Sequence, residues 1–309
     1  FTLILIHIFE LKQSYFKLFH LSLIFCLIFL SLDGLLQRFT GSNIFGWPMQ
    51  GNRMTGLFKD EAVIGSYLSK FLFLGITYFY IFKDKLSKKK SFEIFILLVT
   101  FFAIINSGER MATIHILIGM TAYLLINLIT YKKKFLLIFI FLIVCMGFSL
   151  NNATFKYRFN ETFENKYGIG KSFQSFKDSH WGAHYLTSIE IYKDNLLFGS
   201  GLKTFRIVCN NYDHIDSKKK NQRCSTHSHN YVLEILSEIG TIGILLFLLF
   251  LYHLFAQLNF KNRLTYIILI PPLIYLWPLG TSGSFFSSFN GAFFFIMISI
   301  IVTIKKFKY

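Results

Sequence analysis

Two histidines, His227 and His229, close a long polar segment in the run T-H-S-H-N-Y-V-L-E. An apolar stretch of membrane length begins shortly afterwards, near Ile239. Imidazole is the side chain best suited to proton transfer near neutral pH, because its pKa is about 6.5. A histidine pair at the mouth of an apolar segment therefore predicts acid–base chemistry at this point. Glu234 lies one helical turn beyond Asn230 and is expected either to orient a histidine or to cap or pair locally.

Five of the nine histidines fall in this polar segment, which also leaves a zinc site open as an alternative. His180 and His184 have the spacing of one helix face, and two cysteines lie in the same segment. Motifs of the H-E-x-x-H and C-x-x-C types are absent from the sequence, so it favours a site without metal. A further alternative is that several of the five are structural: His180, His184, His214, His227 and His229.

Cys209 and Cys224 are the cysteines of the polar segment, whereas Cys26 and Cys145 lie in apolar stretches. An oxidising compartment would allow the first pair to form a disulfide, and two unpaired thiols are the alternative. A bond would stabilise the fold by about 3 kcal/mol through loss of loop entropy in the unfolded chain. Apolar residues between Trp181 and Phe198 recur at helical spacing, and the Gly199-Ser200-Gly201 run should stop that helix.

Three cations outside the polar segment have positions suited to binding an anion. Arg53 lies in the run R-M-T-G-L-F-K-D-E, Lys70 falls inside an apolar stretch, and Arg110 ends the turn S-G-E-R. Arg110 should stand at a helix N-terminus, where free backbone N–H groups favour a phosphate oxygen. The alternatives are that the arginines pair with lipid head groups and that Lys70 extends to the membrane interface.

Composition places these residues in an all-α, polytopic helical membrane protein. Of the 309 residues 53% are hydrophobic, 39 are Phe, and the mean hydropathy is +0.50. Lys and Arg number 32 against 16 Asp and Glu, but much of this surplus sits in short clusters between apolar stretches. That arrangement is typical of membrane topology and argues against a nucleic-acid partner.

Apolar stretches of membrane length predict about eight or more transmembrane helices. The basic clusters between them fall on one side, which the positive-inside rule makes cytoplasmic. We therefore expect transmembrane helices in residues 1–150, one large outer loop with short helices in 151–238, and further transmembrane helices in 239–309. The chain begins with Phe1, so a truncated N-terminus is expected. The predicted spans are Leu18–Leu36, Val63–Phe82, Phe92–Ile105, Met111–Thr130, Phe135–Leu150, Ile239–Ala256, Leu264–Leu279 and Phe285–Ile304.

Five ordered motifs together resemble the O-antigen ligase and O-antigen polymerase superfamily. The resemblance covers roughly residues 32–250, and the motifs fall on the same predicted side of the membrane. They are L-D-G-L-L-Q from Leu32, R-M-T-G-L-F-K-D-E from Arg53, S-G-E-R from Ser107, L-F-G-S-G-L-K-T-F from Leu197, and T-H-S-H-N-Y-V-L-E-I-L-S-E-I-G-T-I-G from Thr226.

The resemblance implies a GT-C-like membrane glycosyltransferase without a metal or other cofactor. Its donor would be an undecaprenyl-diphosphate-linked glycan, its acceptor a glycan or lipid A core, and its site periplasmic, on the bacterial inner membrane. His229 matches the family's essential histidine and is predicted to be the base, with Arg110 and Arg53 holding the diphosphate. Residues expected to contact substrate are His184, Arg206, His227, Asn230, Glu234 and Lys70.

One departure concerns the loop before the Gly199 turn, where many family members carry an Arg near a Trp. This chain has His180-Trp181 and His184 instead, so the sequence leaves open which loop cation contacts phosphate. Polymerase, ligase and protein glycosylation also remain open. The alternative from another class is a transporter or flippase of lipid-linked oligosaccharide, which the prolines Pro271, Pro272 and Pro278 would favour by breaking the seventh span.

Overall fold

The computed structural model describes residues 2–82, 84–86, 88–128, 143, 176–256 and 258–306, and their regular secondary structure is helical. The predicted span Phe135–Leu150 lies outside the described residues, apart from Ile143. The helices are α1 (Thr2–Leu11), α2 (Gln13–Thr40), α3 (Ile64–Ile76), α4 (Tyr78–Ile81), α5 (Lys90–Asn106), α6 (Arg110–Leu128), α7 (His180–Asp194), α8 (Phe205–Val208), α9 (Tyr231–Ala256), α10 (Arg263–Tyr275) and α11 (Ser288–Lys306).

Five helical stretches in the described part are long and apolar enough to cross a membrane, which confirms a polytopic helical membrane protein. They are Gln13–Thr40, Ile64–Ile81, Arg110–Asn127, Tyr231–Ala256 and Ser288–Lys306. The predicted span Phe92–Ile105 corresponds to α5, which is slightly longer and extends beyond it at both ends.

The predicted seventh span is the short helix α10, and the expectation that Pro271 and Pro272 break it is wrong. Both prolines lie inside the helix, which ends at Tyr275, before Pro278. Each proline removes one backbone donor from the helix ladder. Packing of α10 against α3 and α6 supports the helix where that ladder is weakened.

The described chain divides into two compact units. The first holds α1 to α6, α10 and the end of α11 from Met297. Within it, α2 packs on α3 and α5 around buried side chains that include Phe16, Leu27, Leu72 and Phe101. Gly41 ends α2 in a left-handed conformation and donates its N–H to Gln37 O at 3.0 Å.

The second unit holds α7, α8, α9 and the beginning of α11, within residues 162–258 and 276–296. Helix α7 begins after Ser179, whose hydroxyl accepts the Gly182 N–H at 3.0 Å. It ends at Asp194, so the predicted Trp181–Phe198 helix is present but shorter. A small apolar core lies beneath α7 and consists of Ala183, Ile191, Phe205, Cys209, Tyr212 and Ile215.

Helix α9 is interrupted at Gly240, whose backbone has φ 68° and ψ −169°. At this break the Gly199 turn lies directly against the helix. Ser200 and Gly201 donate their N–H groups to the carbonyls of Ser237 and Glu238, each at 2.9 Å. A Cβ on Gly240 would come within 2.4 Å of Leu197 O, and one on Gly199 within 2.4 Å of the Glu238 carbonyl carbon. The motif around Gly199 and the motif around Gly240, about 40 residues apart, thus meet where the two glycine backbones are in contact.

Candidate functional site

Four of the five loop histidines form a cluster of imidazole rings in the second unit. His227 and His229 have ring centroids 4.0 Å apart, and His184 stacks on His229 at 5.1 Å. Trp181 meets His229 edge-on at 4.7 Å, and His180 lies 6.2 Å from His184. The fifth, His214, contacts Tyr212 instead. Helix α7 supplies one side of this cluster, and the loop before α9 supplies the other.

The backbone of His229 adopts an unusual conformation that positions its ring. Its φ is 59°, one of three positive values among the described residues other than glycine. Its carbonyl accepts the Ser282 N–H at 2.8 Å, and its Nε2 lies 2.9 Å from the Ser225 hydroxyl. His227 is held nearby, with Nε2 3.3 Å from Ser282 O. The loop that carries Ser282 therefore fixes both histidines.

The environment of the cluster favours the neutral form of His184, His227 and His229. Burial, with help from His227 and His184, lowers the pKa of His229 to about 3. Burial also lowers the pKa of His184 to about 4, with His180 as the next cause. For His227 burial again lowers the pKa. A neutral imidazole carries a lone pair that can accept a proton, so these three rings are in the form that a base requires, while the lowered pKa values also weaken them as bases.

Asn230, which the sequence placed among the substrate contacts, has all four hydrogen-bonding positions of its amide used within the protein. Its Oδ1 accepts the N–H groups of Val232 and Leu233 at 3.0 and 3.1 Å, which caps α9. Its Nδ2 donates to Pro278 O at 2.9 Å and Gly280 O at 3.3 Å. This amide links the start of α9 to the loop that follows α10.

Two carboxylates on the first turns of α9 hold neighbouring loops. Glu234, 1% exposed, accepts the Ser284 hydroxyl at 2.5 Å and the Phe285 N–H at 2.6 Å. Glu238 accepts the N–H groups of Lys203 at 2.6 Å and Phe205 at 3.2 Å. The local pairing that the sequence allowed for Glu234 is therefore present in the structure.

Cys209 and Cys224 form a disulfide, which closes the lysine-rich loop between them. Arg223 braces the closed loop through donation to Cys209 O at 3.0 Å and Asn210 O at 2.8 Å. The backbone of Gln222 and Cys224 interacts in turn with the His184 ring. The disulfide-closed loop thus contacts the histidine cluster through His184.

A second group of predicted site residues lies in the first unit, where Arg53 interacts with Glu109. The Glu109 carboxylate accepts the N–H of Gly65 at 2.6 Å and the hydroxyl of Ser66 at 2.5 Å, at the start of α3. Burial raises the pKa of this carboxyl, while Ser66 and Arg53 act in the opposite direction. Arg53 also donates to Ala62 O. Glu109 therefore ties the arginine motif to the N-terminus of α3.

The three N-terminal motifs converge in this unit. Gln37 accepts the N–H groups of Thr55 and Gly56 at 2.8 and 2.9 Å, and Met54 donates to Ser107 O at 3.0 Å. Arg110 is the first residue of α6. The L-D-G-L-L-Q, R-M-T-G and S-G-E-R runs thus form one hydrogen-bonded assembly.

Two other predicted cations have identifiable neighbours. Lys70 interacts electrostatically with Glu109, and its Nζ lies 5.6 Å from the centre of the Tyr275 ring. Arg206, in the second unit, is exposed and interacts with Glu238 and His227. Across the described residues, no group of three or more His, Cys, Asp or Glu side chains is arranged to hold a metal ion.

Sequence reasoning missed several residues that shape these clusters. Ser225 lies directly before the motif that begins at Thr226, and Glu109 lies within S-G-E-R. The sequence predicted no role for either residue. Ser282 and Ser284 gave no local signal, because they reach His227 and Glu234 from 55 and 50 residues away in sequence.

Fold and clusters together define a multi-pass helical membrane protein with a neutral histidine cluster at the entrance to a long apolar helix. The O-antigen ligase family model matches residues 95–248, which include the S-G-E-R turn and the histidine motif. The chain belongs to this family of glycosyltransferase-type enzymes, whose substrates are lipid-linked glycans. No curated protein and no solved structure matches the chain.

Proposed function

We propose that this protein polymerises or ligates a surface polysaccharide by transferring a glycan from an undecaprenyl-diphosphate carrier to an acceptor hydroxyl. The acceptor is a glycan or lipid A core, and the reaction takes place at the periplasmic face of the bacterial inner membrane. The fold is GT-C-like, with one large periplasmic loop between transmembrane domains. The observation that supports this proposal most directly is the neutral His229, held by Ser225 and Ser282 beside His184 and His227.

The reaction requires a base on the acceptor side. The acceptor oxygen forms a bond to the anomeric carbon, and the bond from that carbon to the diphosphate oxygen breaks. The acceptor proton passes to His229, and the bonding electron pair leaves with the diphosphate. The Ser225 hydroxyl, 2.9 Å from Nε2, marks the position from which an acceptor hydroxyl would deliver its proton.

Buried polar atoms beside His229 support a role in sugar binding. Nδ1 of His184 and the hydroxyl of Ser282 are buried and make no hydrogen bond within the described structure. Such atoms cost free energy unless a partner satisfies them. Hydroxyls of a sugar ring are suitable partners, so His184 and Ser282 are proposed to contact the acceptor, with His227 adjacent to them.

The reaction also requires positive charge at the departing diphosphate. We assign this role to Arg53 and Arg110, with Lys70 and Arg206 as further cations, so the transfer needs no metal. Glu109 supports the assignment, because it holds the Arg53 segment beside the start of α3. Arg110 at the first position of α6 adds a helix N-terminus, which favours an anion.

The test is transfer in proteoliposomes supplied with a polyprenyl-diphosphate-linked oligosaccharide and no added metal, with products separated by length on a gel. His229→Ala should lower the rate about 10²- to 10⁴-fold. His214→Ala is the matched control, because His214 is an exposed histidine of the same unit outside the cluster. A product ladder indicates a polymerase; transfer that appears only when lipid A core is supplied indicates a ligase. Equal activity of both variants would overturn the role of His229.

A further inference from the structure

Residues 196–207 in the second unit expose an unusual amount of apolar surface. Leu196, Leu197, Phe198, Leu202 and Ile207 are 52 to 73% exposed, although the segment is not part of a membrane-spanning helix. Proteins in water rarely expose so many large apolar side chains in one short segment. Phe205 within the segment and Cys209 two residues beyond it are fully buried, so one face lies in the core and another is uncovered. We call residues 196–207 the apolar shelf.

The apolar shelf is continuous with the lipid-facing surface of α9. Thr241 and Ile242 donate their N–H groups to the carbonyls of Leu196 and Leu197 at 2.8 and 3.1 Å. Beyond this junction α9 leaves Leu245 and Leu246 about 60% exposed, and its apolar stretch is only 6% buried. In a membrane protein such a surface faces hydrocarbon.

The length of α9 locates the shelf relative to the bilayer. From Thr241 to Ala256 the helix rises about 24 Å at about 1.5 Å per residue, slightly less than a hydrocarbon core of about 30 Å. Lys261 and Arg263 follow that end of the helix. The opposite end, where the shelf is hydrogen-bonded, therefore lies at the boundary between hydrocarbon and head groups.

Charge in and beside the shelf matches the same boundary. Lys193, Lys203 and Arg206 are exposed among the apolar side chains. Long basic side chains at an interface place their apolar stems in hydrocarbon and their charges among anionic phosphates. Lysine is depleted in protein–protein interfaces, so the exposed Lys193 and Lys203 among these apolar side chains favour phospholipid as the partner.

We propose that the apolar shelf is a lipid-binding surface, inserted into the interfacial region of the leaflet on the side of the histidine cluster and selective for anionic phospholipid. The shelf is fixed to α9 by backbone bonds and by Glu238, which binds the N–H groups of Lys203 and Phe205. Insertion therefore sets the depth of the loop that carries the histidines. This inference does not depend on the transferase activity.

The experiment places the photo-cross-linker p-benzoylphenylalanine at Phe198 or Ile207 of the full chain in vesicles of mixed zwitterionic and anionic phospholipid. Asn221 is the matched control, because it is exposed in the same unit but lies in the polar disulfide loop. Mass spectrometry after irradiation should show several-fold more phospholipid adducts at 198 and 207 than at 221. The anionic lipid should exceed its bulk share among those adducts. Adducts equal to the control, or adducts to a second copy of the chain, would overturn the proposal.

A second measurement tests insertion without the cross-linker, in case the cross-linker variants fold poorly. Phe198→Trp keeps a large apolar ring, and its added fluorescence should be quenched by lipids brominated near the head group more than by those brominated near the chain end. Quenching by aqueous iodide with no effect of brominated lipid would contradict insertion.

Discussion

His184 and His229 stack their imidazole rings with centroids 5.1 Å apart and planes inclined by only 25°. One ring comes from α7 and the other from the loop before α9, so the contact joins two elements of the second unit. Because His184 is also a cause of the low pKa of His229, this contact has electrostatic as well as packing consequences.

Replacing His184 with Phe should raise the pKa of His229 while leaving the ring packing intact. Burial remains the main cause of the shift, so the pKa should stay below the ordinary value. The acid limb of kcat/KM for glycan transfer should therefore move to higher pH. Loss of the proposed acceptor contact of His184 should lower the rate at pH 7 by about tenfold or less. A change in thermal stability with an unmoved acid limb would assign His184 a purely structural role.

Acidification should destabilise the protein through these histidines. Their folded pKa values are lowered, to about 4 for His184 and about 3 for His229, from about 6.5 in the unfolded chain. Below pH 6.5 the unfolded chain binds more protons, so stability falls from there towards the folded pKa values. Thermal unfolding at pH 7, 6 and 5 should show a falling Tm. The double variant His184→Phe, His229→Phe should show a shallower fall; an identical slope would contradict the explanation.

Asn230→Asp should separate the two functions of the amide. The carboxylate keeps an oxygen that caps α9 but loses the donors to Pro278 O and Gly280 O. Asn230→Ala loses both and should destabilise by about 1 kcal/mol or more from the cap alone. Denaturant unfolding should rank the proteins wild type, Ala, Asp, because the second carboxylate oxygen of the Asp variant would face the carbonyl oxygens of Pro278 and Gly280 in a buried position. Glycan transfer should fall in the same order because the His227–His229 loop loses its support.

Gly240→Ala should prevent correct docking of the Gly199 turn. The added Cβ would meet backbone 2.4 Å away, and φ of 68° is unfavourable for alanine. Gly291→Ala in α11, in the same unit, is the control, because the nearest atom to its added Cβ would be Phe285 O at 3.9 Å. Urea titration should show a loss of more than about 3 kcal/mol for the first variant and a much smaller change for the second.

Removing the disulfide with Cys209→Ser and Cys224→Ser should cost about 3 kcal/mol, since the unfolded chain regains the loop entropy. The histidine cluster should loosen as well, because the backbone of Gln222 and Cys224 contacts His184. Thermal unfolding with and without reductant measures the contribution of the disulfide to stability. Wild-type protein should shift on reduction and the double serine variant should not.

The sequence predicted the class of the protein well, because membrane helices can be identified from their length and apolar composition. Helix α2, the α3–α4 stretch and α6 all coincide closely with predicted spans. The exception was α10, where two prolines were interpreted as a break. Proline weakens the backbone ladder, but packing against α3 and α6 decides the outcome, and that packing depends on distant residues.

The candidate site could be predicted only in part. The motif around His229 indicated proton-transfer chemistry, but it gave no sign that the amide of Asn230 makes four hydrogen bonds within the protein. The partners that satisfy it, Pro278 and Gly280, lie about 50 positions away and have no hydrogen-bonding signature of their own. Periodicity and motif spacing report local structure, whereas such contacts depend on the tertiary fold.

The glycine contact between Gly199 and Gly240 also limits how homologous sequences can diverge. Each position faces main-chain atoms, which no compensating substitution at the other position can remove. Pairs of side chains in contact can drift together over evolutionary time, but this pair has no such freedom. In an alignment of homologues that share the crossing, both columns should therefore be invariant rather than covarying, and statistical coupling would overlook a contact on which the loop depends.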